Sequence, residues 1–259
     1  MAQGSRGKIQ VYNDFTAAGG ITTGVPDALY NNLGGGVGLI GVNEGVLALT
    51  IDEPGGVLSI TTDTADNDNH ALVAGAFRPS DGGMWMEVRM KMASVAATKQ
   101  AHFIGFSETL SHATPVMPAE TATVTTTYNG TGGMAGFVFD SDATTIAWRF
   151  VVGDGGVALA TTTRTGAAGT AIGITANTTA PTADKWMVFR VEVSESGVAR
   201  GYFGDIGTRD NLVFVGKNTT PLGVSDCFHA VALIENRDGN LEVAEYDYFE
   251  VQASRSWTP

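Results

Sequence analysis

The stretch MWMEVRMKM, residues 84–92, decides the fold class of this chain. Four methionines and a valine occupy every second position, and Trp, Glu, Arg and Lys fill the positions between them. A period of two places successive side chains on opposite faces of an extended strand. The stretch therefore predicts a β-strand with one buried face and one partly solvated face.

Similar short runs occur on both sides of this stretch, from residue 46 to residue 251, at intervals of roughly 8–15 residues. No window longer than about 12 residues shows the 3.6-residue period of an amphipathic helix. The 34 glycines among 259 residues favour tight turns between the runs. We expect an all-β sandwich in one domain, residues 37–259, preceded by a glycine-rich N-terminal arm, residues 1–36.

Composition and charge exclude several classes of protein. The net charge is −12, from 27 acidic and 15 basic residues, which argues against binding to nucleic acid or to an anionic membrane surface. The lone Cys227 excludes an intrachain disulfide and a cysteine-rich zinc site. Residues 1–12 lack the apolar segment of a secretory signal peptide, and no apolar run has the length of a membrane span. We therefore expect synthesis in a cytoplasm.

The last third of the chain carries a resemblance to a known fold. A run KWMVFRVEV (residues 185–193) precedes a Ser-Gly turn and the run VARGYFG (residues 198–204), and EYDYFEV (residues 245–251) closes the series. This order resembles the concanavalin A-like jelly roll of lectins, laminin-G-type modules and one class of β-glucanases, over about residues 37–252. The resemblance implies two antiparallel sheets packed face to face.

The whole chain also resembles virion proteins of tailed bacteriophages. The segments that carry this resemblance are RGKIQVYNDF (residues 6–15), VNEGVLAL (residues 42–49) and ALIEN (residues 232–236). The resemblance implies a non-enzymatic structural protein on the virion that decorates or cements the capsid, often as a homotrimer bound to the major capsid protein. The arm would then act as a clasp and a loop over residues 108–133 would add contacts. The candidate contact residues of the arm are Arg6, Lys8, Tyr12 and Phe15.

The closing run formally contains E-x-D-x-x-E, which resembles the catalytic strand of the β-glucanases. On a regular strand Glu245 and Asp247 share a face, and Glu250 lies on the opposite face unless a bulge intervenes. The family's catalytic strand is mid-chain, whereas this run closes the chain, so we expect no catalysis and keep a glycosidase that uses Glu245 and Asp247 as an alternative. The same resemblance implies that Asp247 could ligate a structural calcium; the other interpretation is an Asp bonded to backbone or to the arm.

Aromatic side chains in the β-runs are candidates for contact with a glycan or with another protein. Indole and phenol rings stack on sugar rings, and they are also enriched at protein interfaces. The principal alternative function is therefore a carbohydrate-binding module, which a virion could display as an adhesin. The candidate residues are Trp85, Trp148, Trp186, Tyr246 and Tyr248.

Overall fold

The architecture comes from a computed structural model of the chain. It describes residues 8–15, 31–34, 36–41, 45–50, 55–96, 99–110, 117–122, 125–129, 132–158, 161–163, 175–176, 181–204 and 209–254.

Within these ranges the chain is built from twenty β-strands and two short 3-10 turns, Pro79–Asp81 and Arg209–Asn211. The strands are β1 (Lys8–Asn13), β2 (Asn31–Gly34), β3 (Val37–Gly41), β4 (Val46–Thr50), β5 (Val57–Thr61), β6 (Asn69–Phe77), β7 (Met84–Met92), β8 (Gln100–Ser107), β9 (Ala119–Ala122), β10 (Thr125–Tyr128), β11 (Met134–Asp140), β12 (Arg149–Asp154), β13 (Val157–Ala158), β14 (Thr161–Thr163), β15 (Thr175–Ala176), β16 (Met187–Val193), β17 (Ala199–Gly204), β18 (Val213–Asn218), β19 (Phe228–Asn236) and β20 (Val243–Ser254). No helix in the described part of the chain is long and apolar enough to cross a membrane.

Two antiparallel sheets form the sandwich. Sheet I has the order β14-β18-β17-β16-β7-β20-β5-β4, with β1 beside the second half of β20. Sheet II has the order β13-β12-β11-β8-β19-β6-β3-β2, with β15 beside β12, and β9 and β10 form a separate hairpin. The predicted all-β jelly-roll sandwich is confirmed.

The core lies between the inner faces of the two sheets. The alternating methionines of β7 are buried, at 0–4% exposure, as the period-two pattern predicts. They share one hydrophobic cluster with a group of packed aromatic rings. Phe137 lies 5.3 Å from both Phe150 and Phe189 between ring centroids, and Phe189 lies 5.1 Å from Phe203. Each such ring removes apolar area that contributes about 1.5–3 kcal/mol to folding.

One place in sheet II requires glycine. Gly105 of β8 pairs with Gly136 of β11, and a Cβ atom built on Gly105 would lie 2.2 Å from the carbonyl oxygen of Ala135. No real Cβ atom approaches a backbone oxygen so closely, so a side chain at this position would force the two strands apart. The close approach explains why glycine interrupts two otherwise large-residue strands.

The structure corrects the expectation of a separate N-terminal arm for the residues that it describes. Strand β1 pairs with β20 from Lys8 opposite Ser254 to Asn13 opposite Phe249, and β2 pairs with β3. Side chains of β1 point alternately outward and toward the core, so Val11 is buried at 8% exposure. Phe15, just after the strand, is also buried, at 1% exposure. These residues are part of the sandwich because their apolar side chains complete its core. Arg6 lies outside the described residues.

The outer face of sheet II is apolar and covered. Part of the segment that was expected to be a long loop, residues 108–133, forms the β9–β10 hairpin. Met117 and Ala119 pack against the outward side chains of sheet II in a second hydrophobic cluster, which includes Val73, Phe103 and Leu233. This cover buries a face that would otherwise expose a continuous apolar patch.

Candidate functional site

The outer face of sheet I carries rows of polar and aromatic side chains across five adjacent strands. One row crosses the sheet from β17 to β1, and each residue in it lies directly opposite the next one on the neighbouring strand. Direct cross-strand partners have neighbouring Cβ atoms on the same face. We call these residues the outer row: Arg200, Glu192, Trp85, Gln252 and Gln10.

Trp85 lies at the centre of the outer row and is contacted by side chains of both neighbouring strands, β20 and β16. Its Nε1 donates a hydrogen bond to Oε1 of Gln252 at 3.1 Å. The guanidinium carbon of Arg190 lies 4.4 Å from the centroid of the indole ring, and Arg190 Nε donates to Oε1 of Glu192 at 2.8 Å. The indole is half-buried. A ring fixed by a hydrogen bond and a cation–π contact is preorganised for binding.

A cavity of about 420 Å³ adjoins Trp85 at the end of sheet I where β7 begins and β20 ends. Gly82 and Gly83 form part of its wall at positive φ values of 120° and 87°. The backbone N–H of Ser254 donates to the carbonyl oxygen of Gly83 at 3.0 Å, which fixes this turn against β20. Volumes of this size are typical of small-molecule sites.

The charged side chains that line the cavity are Lys8, Arg200 and Glu192. The Glu192 carboxylate is already occupied, since Oε1 accepts from Arg190 and Oε2 accepts from the hydroxyl of Tyr202 at 3.3 Å. Within the described ranges, neither Lys8 nor Arg200 is in an ion pair. The cavity therefore presents two uncompensated cations in a chain whose net charge is −12.

The other end of the same face is a tight set of ion pairs. Trp186 lies beneath two cations, with Cζ of Arg89 at 4.5 Å and Nζ of Lys91 at 4.9 Å from its ring centroid. Arg89 Nη1 bonds Oδ2 of Asp247 at 2.6 Å, and Lys91 Nζ bonds Oε2 of Glu245 at 2.7 Å. Both carboxylates of the candidate catalytic pair are thus bound to cations of β7.

Asp247, the residue expected to ligate calcium, forms an ion pair with Arg89, whose guanidinium lies at hydrogen-bond distance from its carboxylate. In the ranges that the structure covers, no three His, Cys, Asp or Glu side chains come together as a metal site. The predicted site used Asp247 alone with backbone carbonyls and waters rather than such a group. Calcium at Asp247 therefore stays a prediction, and in the described ranges the partner of Asp247 is a side chain rather than the backbone or the arm.

A β-bulge at Asp247 changes the faces of the closing strand. The register of β20 against β7 shifts between Tyr246 and Tyr248, so one extra residue is accommodated there. Glu250 consequently faces outward, opposite Glu87, on the same face as Glu245. Tyr248 also faces outward, and its hydroxyl donates to Oε1 of Glu87 at 2.8 Å.

The structure removes two of the five aromatic contact candidates. Trp148 and Tyr246 are both 0% exposed, so neither can contact a glycan or a partner. Trp148 precedes β12 and its ring packs 4.3 Å from that of Phe189. Tyr246 precedes the bulge and points inward, where burial raises the pKa of its hydroxyl.

The remaining candidates lie on the outer face of sheet I. Trp85 and Trp186 are half-buried, and Tyr248 is 8% exposed because Tyr12 stacks on it at 6.4 Å between centroids. Tyr12 itself is 46% exposed. Lys8, a predicted contact residue of the arm, lines the cavity beside Trp85, and its contact with a capsid stays a prediction.

Sequence reasoning missed Arg200, Glu192 and Gln252. Their one visible signal is the alternation of KWMVFRVEV, of VARGYFG and of the closing strand, which assigns them to outward faces. Their convergence on Trp85 depends on the register between strands that are distant in the chain, and no local pattern carries that information.

A second polar cluster lies buried at one end of sheet II and holds the hairpin in place. Arg237 contacts Oε1 of Glu235 at 2.7 Å, Oδ2 of Asp140 at 3.2 Å and Oε2 of Glu120, which belongs to β9, at 3.6 Å. Burial raises the pKa of Glu235 to about 7, although the guanidinium opposes this shift. These contacts tie β19, β11 and β9 together at this end of sheet II.

No protein-family model and no curated protein matches the chain. Solved structures match it in fold. A protein of unknown function from Shewanella oneidensis MR-1 aligns with a TM-score of 0.58 and 12% identity, over 98% of this chain and 90% of that one. The carbohydrate recognition domain of Emp47p aligns with a TM-score of 0.52 and 11% identity, over 91% and 100% of the two chains. Peanut lectin aligns with a TM-score of 0.51 and 9% identity, over 97% and 99%. The chain is therefore similar in fold to lectin-type domains and has a concanavalin A-like jelly-roll fold.

Proposed function

We propose that this protein is a non-catalytic carbohydrate-binding module whose site is the cavity beside Trp85. The observation that carries the proposal is the combination at that place of a fixed indole ring, a cavity of about 420 Å³ and a polar lining. Sugars present apolar ring faces and many hydroxyl groups, so their sites combine an aromatic platform with several hydrogen-bonding side chains. The lectin-like neighbours support the proposal at the level of fold only.

We propose a module without catalytic activity because of the positions and partners of the two candidate carboxylates, Glu245 and Asp247. Hydrolysis of a glycosidic bond needs one carboxyl group that donates a proton and one that attacks or activates water. Glu245 and Asp247 are each bound to a cation of β7, and they lie at the end of the face away from the cavity. Neither is placed to act on a sugar that stacks on Trp85.

The test is binding of the full chain to an array of neutral and acidic glycans, followed by titration of the best ligand. Trp85→Ala should weaken binding at least about tenfold, because it removes the aromatic platform. Trp186→Ala is the matched control, since Trp186 is also half-buried under a guanidinium but lies outside the cavity. Absence of binding to every glycan, or equal loss in both variants, would contradict the proposal.

A second proposal keeps the virion role. The segment that resembles phage virion proteins, residues 6–15, places Tyr12 on the outer face of sheet I at 46% exposure, and tyrosine is enriched at protein interfaces. In this proposal the module is displayed on the capsid as a homotrimer and contacts the major capsid protein. Light scattering after size-exclusion chromatography tests it: a trimer that Tyr12→Ala dissociates would support this role, and a monomer at all concentrations would contradict it.

A further inference from the structure

The charges that line the cavity beside Trp85 indicate which class of sugar it would bind. We propose that it binds an acidic oligosaccharide, one that carries carboxylates on more than one sugar. This inference rests on the proposed carbohydrate-binding function and specifies the class of ligand. It follows from the placement of Lys8 and Arg200, the two lining cations that have no ion-pair partner in the described ranges.

The first step of the argument is the scarcity of free cations. The chain has only 15 basic residues against 27 acidic ones, and three other cations on this face are paired, whereas Lys217, opposite Arg200 on β18, has no ion-pair partner in the described ranges. Arg89, Lys91 and Arg190 each bond a carboxylate at 2.6–2.8 Å. Two unpaired cations that line one cavity therefore form a local site for anions on an acidic protein.

The second step is the neutralisation of the one carboxylate in the cavity. Glu192 accepts from Arg190 and from Tyr202, so its negative charge is directed toward these partners. An anionic ligand at Trp85 then meets Lys8 and Arg200 without a free carboxylate between them. Lys and Arg are the side chains that pair with carboxylates in charge-assisted hydrogen bonds.

The third step is the position of the two cations on opposite sides of Trp85. Arg200 is on β17 and Lys8 is on β1, with β16, β7 and β20 between them. Four strand spacings correspond to roughly 19 Å between the backbones of β17 and β1. This separation favours a ligand with repeated charges, in which one sugar stacks at Trp85 and its acidic neighbours reach the cations.

The experiment compares acidic ligands with neutral ones of the same backbone. Oligomers of polygalacturonate, alginate and hyaluronan are titrated into the full chain, and methyl-esterified versions of the same oligomers serve as uncharged counterparts. We expect at least one acidic oligomer to bind about tenfold or more tightly than its ester, and the difference to shrink as salt screens the charges.

Variants locate the effect on the native protein. Lys8→Gln combined with Arg200→Gln should weaken binding of the acidic oligomer roughly tenfold and weaken binding of the ester much less, because the glutamines keep hydrogen-bonding groups in the lining but remove the charge. Lys185→Gln combined with Lys99→Gln is the matched control, because it removes two positive charges that do not line the cavity, and Lys99 contacts Asp238 instead. Both double variants should keep the thermal midpoint of the wild type.

The outcomes separate the two proposals. If the ester or neutral glycans bind as tightly as the acidic oligomers, the inference about charge is wrong and the carbohydrate-binding proposal stands. Equal loss in the two double variants also overturns the inference, since the effect would then come from net charge. If no glycan binds at all, both proposals fail. The comparison of acid with ester uses the unmodified chain, so it decides the question even if a variant does not fold.

Discussion

Replacement of Phe15 by alanine tests whether the N-terminal segment is structural. Phe15 is 1% exposed in the core between the sheets, and its backbone N–H donates to Oδ1 of Asn13 at 2.8 Å. Truncation of a buried phenylalanine costs about 3–5 kcal/mol, a large part of the 5–15 kcal/mol that typically stabilises a domain. The backbone at Phe15 has φ 56°, in the left-handed region. Alanine also carries a Cβ and has the same backbone strain there, so the change in stability measures the loss of the phenyl ring.

Tyr12→Ala is the matched control for this prediction. Tyr12 belongs to the same segment and stacks on Tyr248, but it is 46% exposed, so its loss should cost much less than that of the buried Phe15. In urea denaturation the midpoint of Phe15→Ala should fall by about 1 M or more at an unchanged m-value. Equal midpoints for wild type and Phe15→Ala would refute the integration of this segment and restore the interpretation of a surface arm.

Three further predictions follow from buried or paired groups. Burial raises the pKa of Glu235 in the folded protein to about 7, above the value of about 4.3 in an unfolded chain. The folded state therefore favours the protonated carboxyl, and this contribution to the free energy of unfolding is complete below about pH 4 and is lost as the pH rises through 7. The free energy of unfolding should fall by up to about 3 kcal/mol over that window, and urea titrations of Glu235→Gln should lack this fall; a wild-type slope in the variant would exclude Glu235 as its source. Gly105→Ala should destabilise the fold by about 3 kcal/mol or more, because its methyl group would meet the Ala135 oxygen; a wild-type melting temperature would contradict this. Wild-type protein should release no reducing sugar from β-glucan, and a product that disappears in the Glu245→Gln, Asp247→Asn double variant would establish a glycosidase instead.

The fold could be predicted because it depends on a local property. In Met84–Met92 every second side chain is apolar, and a strand converts that period directly into a buried face and an outer face. The outward positions of Trp85 and Trp186 follow from the same rule. The resemblance of the closing strands then added the sandwich topology, which periodicity alone does not specify.

The candidate site was harder to predict because it depends on features that no local pattern encodes. The bulge at Asp247 adds one residue, so Tyr246 points inward while Glu250 joins the outer face. Trp148 lies between strands, where alternation gives no face at all. The meeting of Lys8 with Arg200 depends on how β1, β20, β7, β16 and β17 lie side by side, which is a tertiary property.

The difference between the two outer faces of the sandwich explains why we place the proposed binding site on sheet I. The outer face of sheet II is apolar, and the β9–β10 hairpin covers it, held by the buried contacts of Arg237 with Asp140 and Glu120. The outer face of sheet I has no such cover in the described ranges, and its side chains are aromatic or charged. An uncovered apolar face would favour aggregation, whereas a half-buried set of ion pairs around two tryptophans stays solvated and still presents ring surface. Because most of these charges neutralise each other, the proposed preference for acidic ligands depends on Lys8 and Arg200, the two lining cations without an ion-pair partner in the described ranges.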